Sequence, residues 1–169
     1  DALFTATSAT CVTGLIVRDT WTQFSYFGQA VILVLIQVGG LGLVTLTSFF
    51  ALAMRRRMGF RDLRLMGESV SADGYAQAKE VLKTVVGLAA LFEGIGILLL
   101  LFAFVPQFGL EGIWVSVFTA ISAFCNAGFD LFGRFGQYSS LVPYVSNYYV
   151  QAVVMFMIIA GGLGFMVWV

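Results

Sequence analysis

Phe4-Thr-Ala-Thr-Ser-Ala-Thr-Cys-Val-Thr-Gly14 recurs as Phe118-Thr-Ala-Ile-Ser-Ala-Phe-Cys-Asn-Ala-Gly128, with seven of the eleven positions identical. The two cysteines of the chain, Cys11 and Cys125, fall on one another at an offset of 114 residues. After an eight-residue insertion a second block follows in the same order. Gln29-Ala-Val and Gly39-Gly-Leu-Gly42 lie over Gln151-Ala-Val and Gly161-Gly-Leu-Gly164. Glycine-rich coincidence gives isolated matches, whereas two blocks in one order mark an internal repeat, a common signature of membrane transport folds. Each copy reads as a short apolar helix, a glycine-containing turn, and a longer apolar helix bearing a Gly-Gly-Leu-Gly patch.

The composition around the repeat sets its solvent. Of 169 residues 60% are hydrophobic, 15% aromatic and only 11% charged, where a soluble domain carries about 25% charge. With a mean hydropathy of +0.95, a water-soluble globular domain and a disordered chain are both excluded. Nine basic and nine acidic residues cancel, which leaves no footprint for nucleic acid. The absence of histidine removes the usual general base, the usual zinc ligand and any serine-histidine triad, so no enzyme is expected. Two cysteines so far apart support neither a zinc site nor a disulfide framework. Asp1-Ala2-Leu3-Phe4 has no basic leader character, and Met166-Val167-Trp168-Val169 stops inside an apolar run. An internal piece of a longer polypeptide is the expectation.

Residues 26–54 contain no charge, residues 84–105 contain only Glu93, and residues 148–169 contain none. Each run exceeds the roughly 20 residues that cross a ~30 Å hydrocarbon core. None alternates as a barrel strand would, so they are predicted to be helices. Residues 110–124 are too short to span and too apolar for a surface loop, although they hold Glu111, Ser116, Thr119 and Ser122. That pattern suits a re-entrant segment buried in protein or lining a water-filled cavity, and residues 3–10 share it. The predicted class is an all-α membrane protein of repeated helix–pore loop–helix units. Its parts are 1–54 (pore loop and inner helix of a first repeat), 55–79 (a basic linker) and 80–169 (a complete second repeat). Seven of the nine basic residues lie between Arg55 and Lys83. The positive-inside rule therefore makes 55–79 cytoplasmic and brings both pore loops in from outside. The arginine cluster there also suits lipid headgroups.

A cation crossing a bilayer must exchange its water shell, and rings of backbone carbonyls are one substitute. Consecutive carbonyls turn to one side only where some residue takes a positive φ, which favours glycine. Gly14 and Gly128 stand where that residue is needed, directly after a half-helix. The competing reading is that each glycine only caps its helix. Repetition in the same context favours a selectivity filter, with Cys11, Val12, Thr13, Gly14 and Cys125, Asn126, Ala127, Gly128 as ion-binding residues through their carbonyls. The rival function is a non-conducting membrane scaffold whose glycine-rich helices serve assembly. A scaffold has no need of two matched polar re-entrant segments.

Thr7-Ser-Ala-Thr-Cys-Val-Thr-Gly-Leu15, Ile36-Gln-Val-Gly-Gly-Leu-Gly42 and Phe124-Cys-Asn-Ala-Gly-Phe-Asp130 resemble the Trk/Ktr/HKT superfamily of potassium transporters, most closely the bacterial Ktr-type membrane subunit. Arg57-Met-Gly-Phe-Arg-Asp-Leu-Arg64 is similar to the short basic loop joining that family's first two repeats. The resemblance implies four helix–pore–helix repeats in one chain around one pore, of which this chain holds the end of the first and all of the second. It implies potassium uptake across the bacterial plasma membrane, with or without sodium coupling, and no cofactor besides the transported cation. It also implies a homodimer, and a cytosolic nucleotide-binding regulatory ring on the inner face.

Other residues carry two readings each. Glu93, an acid at membrane depth, either serves the cation pathway or hydrogen-bonds to neighbouring helices, as suits an outer helix. Lys83, ten residues earlier, is too distant to pair and snorkels to the cytoplasmic face. Asp19 and Asp130 follow the two turns, where they either concentrate cations or act as caps and as partners of Arg18 and Arg134. Gly39, Gly40 and Gly42 are hinges or close-packing positions, and close packing is favoured for most. Trp21, Tyr26, Tyr138, Tyr144, Tyr148 and Tyr149 suit an outer aromatic belt.

Overall fold

Long runs of Leu, Val, Ile, Ala and Phe without charge leave backbone amides no water to bond, and a helix satisfies them within the segment. The computed structural model describes the backbone of residues 1–55 and 70–163, with side chains for 1–42 and 83–163. In order come α1 (Ala2–Thr10), α2 (Thr20–Gln23), α3 (Tyr26–Arg55), α4 (Val70–Phe108), α5 (Glu111–Phe124) and α6 (Tyr148–Gly162). Short 3-10 turns at Phe132–Phe135 and Val142–Tyr144 join the last two. Among the described residues there is no strand. The expected all-α class is what forms.

Within α4, Lys83–Phe108 is long and apolar enough to cross a membrane by length and composition. At 1.5 Å per residue its 26 residues rise roughly 39 Å. By the same rise the 9 residues of α1 and the 14 of α5 reach only roughly 14 and 21 Å, less than a bilayer core. The expected runs at 26–54 and 84–105 each fall inside one helix. The third, 148–169, is helical through Gly162, and its last six residues lie outside the described region. Helix α4 begins at Val70, inside the stretch expected to be linker, because Ala72, Ala76, Gln77, Lys79 and Glu80 are good helix formers that carry the helix beyond its apolar run. Residues 56–69, with Arg56, Arg57, Arg61 and Arg64, lie outside the described residues.

Helix α1 packs on α3, and α5 is wrapped by α3, α4 and α6. The core runs through Leu100, Phe104, Val115, Phe118, Phe132 and Met157, all fully buried. Phe104 stands edge-on to Phe132 (5.5 Å between centroids) and to Tyr144 (5.4 Å), an arrangement aromatic rings favour. Tyr144 thus belongs to this core and not to an outer belt. Its hydroxyl donates to Gln107 Oε1 at 2.6 Å, the partner a buried phenol requires. Leu91, Leu98 and Phe102 on α4 are 58%, 62% and 77% exposed. An apolar stripe of that kind is a surface for lipid or for further helices, not for water.

Candidate functional site

Helices α1 and α5 end in the same way, atom for atom. In the first, Val12 N–H donates to the Ala9 carbonyl (3.3 Å) and Thr13 N–H to the Ser8 carbonyl (3.0 Å). In the second, Asn126 N–H donates to Ala123 (3.1 Å) and Ala127 N–H to Ser122 (2.8 Å). This pair of bonds is the Schellman cap, whose terminating residue is left-handed. Val12 has φ +56° and Asn126 φ +57°. Two residues later the chain turns left-handed again, at Gly14 (φ +72°) and Gly128 (φ +74°). The glycines are therefore not the caps of their helices; Val12 and Asn126 fill that position.

The two turns lie against each other. A Cβ built on Gly14 would stand 2.8 Å from the Ala127 carbonyl oxygen and 3.5 Å from Gly128 Cα. Of the eight candidate residues, Cys11, Thr13, Asn126 and Gly128 are exposed, Val12, Gly14 and Cys125 half-buried, and Ala127 fully buried. Both thiols are free.

Close approach of the following helix holds each turn. A Cβ on Gly39 of α3 would overlap the Thr10 carbonyl, and one on Gly161 of α6 would overlap the Phe124 carbonyl. Thr10 and Phe124 are equivalent in the repeat, as are Gly39 and Gly161, so one contact is made twice. Small residues permit such backbone approach between membrane helices. Gly40 adds a second contact, its Cβ position 2.7 Å from Cys125 Sγ, whereas Gly42 has open space around it. Gly164 lies outside the described residues.

The polar side chains behind the turns include Thr119 and Ser122 of the expected re-entrant segment and their counterparts Thr5 and Ser8, for which identity across the repeat is the available sequence signal. Ser8 and Thr13 share a hydroxyl–hydroxyl bond of 2.8 Å, and Ser122 Oγ donates to the Phe129 carbonyl at 2.5 Å. Thr5 and Thr119, also equivalent, bury their hydroxyls with no hydrogen-bond partner among the described residues. Thr119, Ser122, Asn126 and Asp130 line a cleft of ≈ 200 Å³ beside the second turn. Gln29 Nε2 donates to the Phe24 carbonyl (3.1 Å) and Gln151 Nε2 to the Val145 carbonyl (2.7 Å). Each of these equivalent glutamines ties an inner helix to its entry turn. Glu93 accepts from Gln37 Nε2 at 2.8 Å, the hydrogen bond to a neighbouring helix that its mid-helix position suggested.

Around the far ends of the turns the acids are structural. Asp19, 3% exposed, caps α2 by accepting from Thr22 N–H (2.9 Å) and Thr22 Oγ1 (3.0 Å), and it also accepts from Tyr138 N–H (3.1 Å). It thereby ties the loop after the first turn to the loop after the second. Asp130 accepts from Phe132 N–H at 2.9 Å. Burial pushes the Asp130 carboxyl above its ordinary range, and the charge of Asp19 adds to the rise. Neither arginine pairs with these acids, contrary to the expectation. Arg18 pairs with Asp1 at 3.0 Å and Arg134 with Glu111 at 2.7 Å. The planar guanidinium of Arg134 lies between the Trp21 and Phe108 rings, 4.2 and 4.3 Å from their centroids, a geometry that draws it away from Asp130. Its hydrogen bond holds Glu111 below the usual carboxylate range.

The chain resembles known proteins over almost its full length. It is 40% identical over 169 residues to the potassium/sodium uptake protein NtpJ of Enterococcus hirae, covering 99% of this chain and 36% of that protein. It is 41% identical over 168 residues to the Ktr system potassium uptake protein B of Bacillus subtilis, covering 99% and 37%. Against the Ktr system potassium uptake protein B of Vibrio alginolyticus the identity is 37% over 168 residues, covering 99% and 36%. The chain thus spans little more than a third of the length of these relatives. The family model described as TrkH, cation transport protein, matches residues 1–169. With its paired helix ends and matching residues from end to end, the chain belongs to the TrkH family of membrane cation transport proteins, which are transporters and not enzymes.

Proposed function

We propose that the turns 11–14 and 125–128 are two strands of a cation-selectivity filter in a protein that takes up potassium through a central pore, with or without coupling to sodium. The names of the relatives, potassium and potassium/sodium uptake proteins, support potassium as cargo. The observation that carries the filter reading is the duplicated backbone path. A turn that only ended a helix would need one left-handed residue, yet each turn has two, separated by Thr13 or Ala127. Alternating the sign of φ re-aims the chain at each residue and keeps successive carbonyls to one side, as a carbonyl-lined pore requires.

In this reading residues 26–54, 84–105 and 148–169 cross the plasma membrane, 55–79 is cytoplasmic, and the half-helices α1 and α5 enter from outside. The resemblance extends the proposal to four repeats around the pore, a homodimer, and a cytosolic nucleotide-binding ring. The bare face of α6 supports further repeats. Leu33 and Ile36 of α3 are 9% and 0% exposed beneath the second repeat, whereas their counterparts Met155 and Ile158 are 54% and 42% exposed.

The test uses the full-length protein with Gly14→Ser and Gly128→Ser. A side chain at these positive φ values costs on the order of 1–2 kcal/mol, relieved by rotating a carbonyl away from the ion. Potassium-over-sodium uptake should fall at unchanged protein level, more for Gly14→Ser because its Cβ also meets the Ala127 carbonyl oxygen. Unchanged affinity and selectivity in both variants would refute the filter.

A further inference from the structure

Glu93 sits inside the apolar run of α4 and is 8% exposed. An acid at such depth carries a heavy desolvation penalty and persists where it is partnered. Its partner belongs to the other repeat: Gln37 of α3 donates Nε2–H to Glu93 Oε1 at 2.8 Å. The other end of the same amide faces the second turn, where the Cys125 thiol approaches Gln37 Oε1 at 4.0 Å, the outer limit for a sulfur donor. One turn further along α3, Gly40 presents bare backbone to that sulfur. An inner helix of the first repeat, an outer helix of the second and the first residue of the second turn therefore converge.

The fold does not demand this polar chain. At the position equivalent to Gln37 the second repeat has Ile159, and the thiol equivalent to Cys125, Cys11, is exposed. The amide has a donor end and an acceptor end, so a fixed carboxylate on one side dictates which end meets the thiol. Resting on the filter reading above, we propose that Glu93 and Gln37 are positioning residues that hold the second filter turn from behind at Cys125 and set ion discrimination there.

The experiment measures apparent affinities and maximal rates for potassium and sodium uptake by the full-length protein at matched membrane levels. Glu93→Leu and Gln37→Ile, the latter importing the residue of the other repeat, should each lower the potassium-to-sodium affinity ratio about fivefold. Glu93→Gln keeps an acceptor for Gln37 and should stay within about twofold of wild type. Cys125→Ala should also shift the ratio, and Gln37→Ile combined with it should add nothing further, the mark of two groups acting through one contact. A wild-type ratio in both disruptive variants, an equal shift in Glu93→Gln and Glu93→Leu, or full additivity of the double variant would each overturn the proposal. Gly128→Ser in the same assay separates the two levels. If it too leaves the ratio unchanged, the filter reading falls and takes this proposal with it; if it shifts the ratio while Glu93→Leu and Gln37→Ile do not, only this proposal falls.

Discussion

Alanine at Gly39 measures how much the first turn depends on backbone contact. In the interior of a helix, Gly→Ala ordinarily stabilises by about 0.8–1 kcal/mol, because glycine loses more conformational freedom on folding. Gly42, three residues along α3 with nothing within 4 Å, should show that gain. At Gly39 the added methyl falls on the Thr10 carbonyl oxygen, with Thr10 C at 2.7 Å and Cα at 3.0 Å. All three atoms are backbone, so no rotamer change relieves the overlap. Helix α3 must back away by on the order of 1 Å, and overpacking of this kind costs about 1–3 kcal/mol. The propensity gain offsets part of this, leaving Gly39→Ala about 0–2 kcal/mol less stable than wild type and, because the gain is common to both variants, about 1–3 kcal/mol below Gly42→Ala. Thr10 directly precedes Cys11, so the displacement arrives at the turn and potassium affinity should weaken as well. Thermal unfolding of the purified full-length variants, with potassium uptake measured alongside, checks both effects. Gly161→Ala, which meets the Phe124 carbonyl, must behave as Gly39→Ala does. A melting midpoint for Gly39→Ala at or above that of Gly42→Ala would refute the reasoning.

Val12→Asn places in the first cap the residue that the second cap already has. Because a β-branched side chain at φ +56° is strained by on the order of 1–2 kcal/mol, the variant should unfold at a higher temperature, and an unchanged midpoint would show that no strain resides there. Asp130 gives a pH signature. Its carboxyl is raised by burial and by Asp19, so the folded state binds the proton more tightly than the unfolded one. Stability should therefore decline as pH rises from the ordinary aspartate pKa through the raised folded value. Asp130→Asn, which retains an acceptor for Phe132 N–H, should flatten that part of a melting-temperature profile, and parallel profiles would contradict the assignment.

The repeat was legible because the turn residues, the close-approach glycines and the entry-loop glutamines are constrained one by one by backbone geometry. Gly14 and Gly128 need positive φ, Gly39 and Gly161 have no room for a Cβ, and Gln29 and Gln151 each reach back to carbonyls that precede their own helix. Identity at such positions survives where packing residues drift. The left-handed cap at Val12 was illegible for the opposite reason: valine is among the residues least suited to φ > 0, and Asn126 alone hinted at it. The fate of Tyr144 was hidden because a tyrosine reads as interfacial until a 3-10 turn carries it beneath Phe104. The arginines misled because charge proximity in sequence says nothing of stacking. Trp21 and Phe108 capture Arg134 from elements far from it in the chain.

What the repeat preserves and what it lets diverge point to the same division of labour. The backbone path of the turn, set by hydrogen bonds from residues 12, 13, 126 and 127 to their helices, is kept to within a few degrees of φ at each left-handed residue. The backing is not kept. Behind the first turn Ser8 bonds the Thr13 hydroxyl. Behind the second, Ser122 reaches the Phe129 carbonyl, Asn126 reaches the Ile158 carbonyl at 3.4 Å, and Cys125 meets Gln37. A side chain that bonds a mobile hydroxyl constrains a turn less than one that bonds fixed carbonyls, because a hydroxyl can rotate to follow its partner. The first turn has one such bond among the described residues, a long one of 3.5 Å from Thr13 Oγ1 to the Ser8 carbonyl, so the side-chain backing of the second turn is the more constraining. On the filter reading proposed above, equivalent substitutions in the two copies should not have equivalent effects, and a change to the side-chain backing should disturb ion discrimination more at the second turn than at the first.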